Sequence, residues 1–171
     1  MVQFLGICLL GVGIFGSIYE WIMRQRNRKR RMDNLLGFLR TISFTMEESN
    51  IFWIPFLEEY VSEDEAIQEV LYKLLQNLKE NKYPRGELAW QEAIKGCEEQ
   101  WDFSKESMEL LYGIGKGFFG KSRKENLEII HMYMHLLQEC KEKEQKEFAE
   151  KKKVWIPVTL LGGIMLVIVL I

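Results

Sequence analysis

Residues 115–122 read Gly-Lys-Gly-Phe-Phe-Gly-Lys-Ser, and their types and spacing could do chemistry on a phosphate. They match the Gly-x-x-x-x-Gly-Lys-Ser pattern of phosphate loops, in which backbone N–H groups and a lysine hold the phosphates of a nucleotide. The helix expected after Ser122 would bring its N-terminus to the place where such a phosphate binds. One hypothesis is therefore a nucleotide-binding enzyme that uses Lys121 and Ser122.

The surroundings of this segment argue against nucleotide binding. A phosphate loop follows a buried parallel strand and needs a second strand that ends in a metal-holding Asp. Residues 104–114 have a helical pattern instead, and no apolar strand ends in Asp. The favoured interpretation of residues 115–122 is a glycine-rich break between helices.

The histidines and cysteines do not form a recognisable metal or redox site. His131 and His135 are four residues apart, which is the spacing of two metal ligands on one helical face. The residues between them lack the Glu that zinc hydrolases place after the first His. Three cysteines, Cys8, Cys97 and Cys140, have no repeated spacing and agree with a reducing cytosol. We predict no metal, no cofactor and no disulfide framework.

Both ends of the chain have the composition of transmembrane helices. Residues 2–23 are apolar except for Gln3, Ser17 and Glu20, and residues 154–171 contain no charge. At the rise of an α-helix the two stretches span roughly 33 and 27 Å, close to the thickness of a bilayer core. We predict transmembrane helices at residues 1–23 and 154–171.

Basic residues flank only the inner side of each apolar stretch. Six follow the first stretch within residues 24–31, and Lys151, Lys152 and Lys153 precede the second. Cytosolic flanks of spanning helices carry the excess of Lys and Arg, so residues 24–31 form a basic collar in the cytosol and both termini lie outside it. A cleavable signal peptide would carry its basic residues before the apolar core. Two buried core helices of a soluble protein would need a larger domain to cover them.

A few residues inside the apolar stretches have a packing or pairing interpretation. Glu20 lies one helical turn before Arg24, which predicts an ion pair between them rather than a proton path. Gly13 and Ser17, like Gly162 and Gly163, would allow close approach or self-association of the membrane helices. A channel or transporter needs more polar residues in the membrane than Glu20 supplies.

The middle of the chain is strongly acidic. Residues 32–150 carry 14 basic and 24 acidic side chains, which gives a formal charge of −10. A domain of that sign repels phosphate backbones, so we predict no nucleic-acid partner. The densest acidic stretch holds Glu58, Glu59, Glu63, Asp64 and Glu65, and it suits a basic partner protein.

Residues 32–153 are predicted to form an acidic helical domain in the cytosol. Only three prolines occur in the whole chain, and no run alternates apolar and polar residues as a strand would. Ser62 and Glu65 form a capping box for a helix that reaches about Lys79, and a second helix spans residues 87–100. Ser104 is expected to cap a helix to about Ile114, and Ser122 with Glu125 to cap the last one.

The terminal helices are expected to frame this domain. Leu35, Leu36, Leu39, Ile42 and Met46 continue a helical stripe past the collar. The last helix runs from Arg123 into the membrane with Pro157 as a possible kink. Trp53, Trp90 and Trp101 suit either a partner interface or the core. The predicted class is all-α, a helical bundle held by two transmembrane helices.

Several of these residues resemble the stage III sporulation protein AB family of endospore-forming bacteria. The resemblance covers the whole chain and rests on Glu20, Glu48, Pro55, Glu58, the Ala89-Trp90 pair with Glu92 and Ala93, and the terminal run that contains Gly162 and Gly163. The segment with Gly120 and Ser122 is similar to the family's Gly-x-Ser-Asp turn, which accounts for the apparent phosphate loop. Arg123 stands where the family usually has Asp, Leu127 where it has Gln, and Ile54 where it has Thr.

The resemblance implies a component of the membrane complex that joins mother cell and forespore. Similar proteins have a helical cytosolic domain like the platform protein of type II secretion, which is thought to dock a secretion ATPase. The expected function is a non-enzymatic scaffold or adaptor in the mother-cell (outer forespore) membrane. Its expected partners are the bilayer, other proteins of the complex and a cytosolic ATPase similar to stage III sporulation protein AA, without a small-molecule substrate. The candidate partner surface holds Glu48 and the densest acidic stretch.

Overall fold

The computed structural model describes residues 2–120 and 122–170, apart from the side chains of residues 2–11, 14, 166, 167, 169 and 170. The described residues are helical and contain no strand, so the predicted all-α class is confirmed. The helices are α1 Val2–Glu48, α2 Trp53–Glu59, α3 Glu65–Lys79, α4 Gly86–Lys95, α5 Glu98–Trp101, α6 Lys105–Gly113, α7 Gly115–Phe118 and α8 Arg123–Leu170.

The chain divides into two compact units. Arg28–Lys141 forms one unit, which contains the buried hydrophobic core, and the described residues on either side of this range form the other. The core unit therefore begins inside the basic collar. Arg28 and Arg31 therefore belong to the core unit, where they contact residues of other segments of the chain.

The stripe predicted beyond the collar in α1 is confirmed. Its apolar side chains recur at three- and four-residue intervals, so they lie on one helical face, and all of them are buried. The buried residues of α1 are Met32, Leu35, Leu36, Phe38, Leu39, Ile42, Ser43 and Met46. This face of α1 supplies one wall of the core.

Helix α3 ends where the sequence predicted but begins two residues later than the capping box indicated. Asp64, not Ser62, is the N-cap, because its carboxylate accepts hydrogen bonds from the backbone N–H groups of Ala66 and Ile67 at 3.1 and 3.3 Å. Ser62 Oγ accepts from the N–H of Asp64 at 3.2 Å. Both side chains are good acceptors at a helix start, and the one nearer the helix takes the cap.

The single helix predicted for residues 87–100 is wrong, because the structure forms two helices there. Helix α4 ends at Lys95, and the short α5 follows from Glu98. The ammonium group of Lys73 on α3 donates to the carbonyl of Gly96 at 2.7 Å. The Gly96 carbonyl thus accepts a hydrogen bond from a side chain in place of one from the backbone of a further helical turn. Helix α4 can therefore end here without an unpaired carbonyl at Gly96.

The starts of α6 and α8 agree with the predicted caps. Ser104 Oγ accepts from the N–H of Ser107 at 3.2 Å at the start of α6. Ser122 Oγ accepts from the N–H of Glu125 at 3.2 Å at the start of α8. Helix α8 then runs through Pro157 without interruption to Leu170.

Aromatic side chains fill the centre of the core unit. The ring of Phe118 lies 4.9 Å from Trp90, 5.0 Å from Trp53 and 6.0 Å from Phe38. Trp90 and Trp101 are fully buried, and Trp53 is half-buried against the core. Of the two interpretations of these tryptophans, the structure supports core packing.

Candidate partner-binding surface

Helix α2 presents one face to the core and the opposite face to solvent. Leu57 is buried, and Trp53, Phe56 and Tyr60 pack partly buried against the core. The outer face is made by two i,i+4 pairs, Ile54 with Glu58 and Pro55 with Glu59, all of them exposed. The core contacts thus hold this short helix with its carboxylates facing outward.

Five of the six acidic residues predicted for the partner surface are exposed, namely Glu48, Glu58, Glu59, Glu63 and Glu65. Glu58 pairs with Lys79 of α3 at 2.5 Å, with both side chains about half exposed. The other four form no ion pair with any residue that the structure describes. This surface therefore carries several carboxylates whose charge is not neutralised by any base that the structure describes.

Asp64, the sixth predicted residue, serves the fold instead of the surface. It is only 9% exposed, and besides capping α3 it accepts from Nε of Arg31 at 3.2 Å. A carboxylate already engaged by a cap and a guanidinium has little left to offer a partner protein. The sequence did not reveal the burial of Asp64, because Asp64 lies between two other acidic residues, both of which are exposed.

The basic collar is divided between two roles. Arg31 also donates from Nη1 to the backbone carbonyls of Gln100 and Trp101, and Arg28 lies 3.3 Å from Asp102. These contacts join α1 to the start of α3 and the end of α5. Arg24 pairs with Glu20 at 2.7 Å, as the sequence predicted. Sequence reasoning missed Arg28 and Arg31 because nothing in the arginine run distinguishes them.

A second polar network joins α3 to the turn between α4 and α5. Lys73 Nζ lies 2.8 Å from Glu69 and 3.2 Å from Cys97 Sγ, and Gln100 donates to Glu69 at 2.5 Å. The hydrogen bond from Lys73 lowers the pKa of the Glu69 carboxyl. Burial raises the pKa of the Cys97 thiol, which favours its protonated form.

The glycine segment packs against neighbouring helices. Side chains of these helices occupy the space beside its glycines that a phosphate would need. A Cβ at Gly115 would lie 2.8 Å from Trp90, and one at Gly117 would lie 2.8 Å from Ile130. A Cβ at Gly120 would lie 2.1 Å from Oδ1 of Asn126. Helix α6, not a strand, precedes the segment, and α7 occupies its first half. Lys121 lies outside the described residues.

The two histidines have separate, ordinary partners. His131 Nε2 is 2.7 Å from Ser43 Oγ and 3.8 Å from Glu47 Oε1, whereas His135 is 3.6 Å from Glu139. No group of three potential metal ligands occurs among the residues that the structure describes. Cys97 and Cys140 form no disulfide among the described residues, and the side chain of Cys8 lies outside them.

The terminal helices expose large apolar side chains along their described parts. Phe15 and Tyr19 of α1 and Trp155, Leu161 and Met165 of α8 are all more than half exposed. Within the described residues no helix combines the length and apolar composition needed to cross a bilayer. Part of each predicted anchor, residues 1–11 and 14 and residues 166, 167 and 169–171, lies outside the described side chains. A Cβ at Gly162 would meet no described atom within 4 Å.

Comparison with known proteins identifies the family. The sequence model of the family described as stage III sporulation protein AB matches residues 3–171. The chain belongs to this family. The solved structure of Stage III sporulation protein AB (SpoIIIAB) matches with a TM-score of 0.61 over 72% of this chain and 97% of that chain, at 12% identity, which shows a shared fold. No curated protein matches the chain by sequence.

Several residues that carried the resemblance to the stage III sporulation protein AB family have structural roles here. Ala89 is buried and its carbonyl accepts from Asn77 at 3.2 Å, and the indole of Trp90 donates to the carbonyl of Leu111 at 2.8 Å. Gly120 makes room for Asn126, and Ser122 caps α8. Pro55 lies exposed on the outer face of α2. Ala89, Trp90, Gly120 and Ser122 thus have packing or capping roles, whereas Glu48 and Glu58, like Pro55, are exposed.

The structure also shows the surroundings of the residues that depart from the family pattern. The guanidinium of Arg123, where the family usually has Asp, donates to the backbone carbonyl of Glu47 near the end of α1. Leu127 packs against the core, and Ile54 lies on the outer face of α2. Arg123 thus satisfies one of the last carbonyls of a helix, as basic side chains commonly do.

Proposed function

We propose that this member of the stage III sporulation protein AB family is a non-enzymatic adaptor, anchored in the membrane at both ends, that docks a cytosolic ATPase of the sporulation complex. The exposed acidic surface of α2 and its flanking residues is the observation on which the proposal rests. Glu59, Glu63 and Glu65 are exposed and have no ion-pair partner among the described residues. Such a surface complements a basic partner and steers its approach.

The membrane part of the proposal rests on the apolar ends and the basic residues beside them. Exposed apolar side chains of the kind found on the described parts of α1 and α8 are stable in lipid, whereas water would leave them unfavourably hydrated. The basic collar and Lys151–Lys153 support a cytosolic position of the core unit, because basic residues are biased towards that side of a membrane. The membrane is then the mother-cell membrane that surrounds the forespore.

The arrangement of polar residues supports a structural rather than an enzymatic role. Asp64, Arg31, Glu69 and Lys73 each join one helix to another. The glycine segment packs against Trp90 and Ile130. The nucleotide hypothesis therefore gains no support from the described residues of the glycine segment.

The test is binding of the full-length protein, in an uncharged detergent, to the purified sporulation ATPase of the same cell, with and without ATP and over a series of salt concentrations. We expect saturable binding that weakens as salt rises, because ions screen the charges of an exposed surface. A variant with Glu59→Gln, Glu63→Gln and Glu65→Gln should bind more weakly and with less dependence on salt.

A matched variant with Glu99→Gln, Glu109→Gln and Glu128→Gln removes the same charge from exposed positions on other helices. It should bind as the unchanged protein does. Equal loss in both variants would assign the attraction to net charge alone. Absence of saturable binding by the unchanged protein would refute the docking of this ATPase.

A further inference from the structure

The acidic surface of α2 also carries exposed apolar side chains. Phe52, the N-cap residue of α2, is 77% exposed, and Val61, two residues after the helix, is 79% exposed. Ile54 on the outer face is 37% exposed. We name Phe52, Ile54, Pro55, Glu59 and Val61 the α2 patch. It combines apolar area, which contributes most of the free energy of association, with a carboxylate beside it.

Helix α2, which carries Ile54, Pro55 and Glu59 of the α2 patch, is packed against the core by its aromatic side chains. Trp53 and Phe56 lie with their rings 6.1 Å apart, and Trp53 lies 5.0 Å from the buried Phe118. Phe56 also stacks on Tyr60 at 5.8 Å. A patch on such a support loses little conformational freedom when a partner binds, which favours affinity.

The charge around the patch decides what can cover it. Glu48, Glu59, Glu63 and Glu65 surround the apolar side chains in the sequence and are exposed without ion-pair partners among the described residues. Carboxylates repel an anionic lipid surface, and two copies of the patch face to face would bring like charges together. A segment that presents both apolar side chains and Lys or Arg can bury its apolar side chains against those of the patch and pair its basic groups with the carboxylates.

We propose that the α2 patch binds a basic amphipathic segment of a partner protein, with Phe52 and Val61 as its apolar anchors. The proposal rests on the proposed adaptor function and specifies the chemistry of the partner at that surface. The apolar anchors set the strength of binding, and the carboxylates set its rate and its dependence on salt.

Other exposed apolar residues of the core unit supply controls. Tyr72 is 57% exposed and Met132 is 49% exposed, and each stands on a different helix. Single exposed apolar side chains are ordinary on protein surfaces. The variant Tyr72→Ala with Met132→Ala therefore matches Phe52→Ala with Val61→Ala in the number of exposed apolar side chains removed.

The first experiment uses a synthetic helical peptide with leucine on one face and lysine on the other, and a scrambled peptide of the same composition. Each is titrated by fluorescence anisotropy against the full-length protein in uncharged nanodiscs, with empty nanodiscs as the blank. We expect the amphipathic peptide to bind more tightly than the scrambled one. Phe52→Ala with Val61→Ala should weaken its binding by about tenfold or more, whereas the control variant should not. Equal binding of both peptides, or of both variants, would overturn the proposal.

The second experiment repeats the titration with the sporulation ATPase and separates the two proposals. If the ATPase binds the unchanged protein and the Phe52→Ala, Val61→Ala variant equally, the α2 patch proposal fails and the adaptor function stands. If the ATPase does not bind but the peptide result holds, the adaptor function fails for this ATPase and the patch stands.

Two further readouts identify a different occupant. Sedimentation of the same variants reports whether Phe52 and Val61 hold two copies of the chain together. Nanodiscs that contain anionic lipid report whether these residues contact the bilayer. A change in sedimentation or in lipid contact, in place of a change in peptide binding, would overturn the proposal.

Discussion

At the scale of single residues, Asp64 and Arg31 differ most from what their positions in the sequence indicate. Asp64 lies in the densest acidic stretch and Arg31 ends the arginine run, yet the two side chains pair at 3.2 Å and are largely buried. Arg31 adds backbone carbonyls near the end of α5 to the same cluster. These two residues hold three helices together, while their sequence neighbours Arg30, Glu63 and Glu65 face solvent.

We predict that Asp64→Ala destabilises the protein by about 2–4 kcal/mol, because it removes the cap of α3 and leaves the partly buried Arg31 without its carboxylate. Asp64→Asn should cost less, since Asn remains a good N-cap and only the charge is lost. Chemical denaturation of the full-length protein in detergent, followed by circular dichroism, measures both.

The neighbouring Glu63→Ala is the control for Asp64. Glu63 is exposed and should change the free energy of unfolding by less than about 0.5 kcal/mol. If Asp64→Ala were as mild as Glu63→Ala, the role assigned to the pair with Arg31 would be wrong.

At the scale of helices, the glycine segment shows how one motif pattern can arise from packing. Helix α7 fits between α4 and α8 because Gly115 and Gly117 have no side chain to meet Trp90 and Ile130. Gly115, one of the two glycines that match the phosphate-loop pattern, is thus also one of the glycines that allow close helix contact. Glycines at these positions suit either a phosphate loop or close helix packing. Here helix α6 precedes the segment, in the place where a phosphate loop needs a strand.

We predict opposite effects for one substitution at two glycines. Gly115→Ala should destabilise by about 1–3 kcal/mol, because its Cβ would lie 2.8 Å from Trp90, whose indole is buried and hydrogen-bonded to Leu111. Gly37→Ala, inside α1, meets no described atom within 4 Å and should stabilise by up to about 1 kcal/mol through its helical propensity. Denaturation midpoints of the two variants test the pair. Equal midpoints would mean that Gly115 has more room than the structure gives it.

At the scale of the whole molecule, the boundaries between apolar, basic and acidic parts of the chain do not coincide with the ends of helices. Helices α1 and α8 are continuous, yet each passes from an apolar end through basic residues into the acidic core unit. The proposed orientation follows from this order of composition.

We predict that protease added to inverted membrane vesicles digests the core unit while epitope tags at both termini stay protected. In right-side-out vesicles the tags should be digested and the core unit protected, since the two preparations expose opposite faces. Immunoblots against each tag and against the core unit report the fragments. A protected core unit in inverted vesicles would refute the proposed topology.

The sequence by itself determined the helical class, the ends of α3 and α6 to within a residue, and the Ser104 and Ser122 caps. It also determined the buried stripe of α1, the Glu20–Arg24 pair and the family. These features depend on periodicity, on local hydrogen bonds or on residues one turn apart, all of which are present in the order of the residues.

Only the tertiary structure decided the break at Gly96, the burial of Asp64, the pairing of Arg28 and Arg31, and the outward face of α2. Each of these depends on a residue far away in the chain: Lys73 reaches Gly96, and Arg31 reaches both Asp64 and Trp101. Charged side chains with the same local pattern become partners of the core or remain on the surface according to which helix packs beside them. The sequence could therefore identify the acidic surface, and only the packed helices show which of its carboxylates a partner can reach.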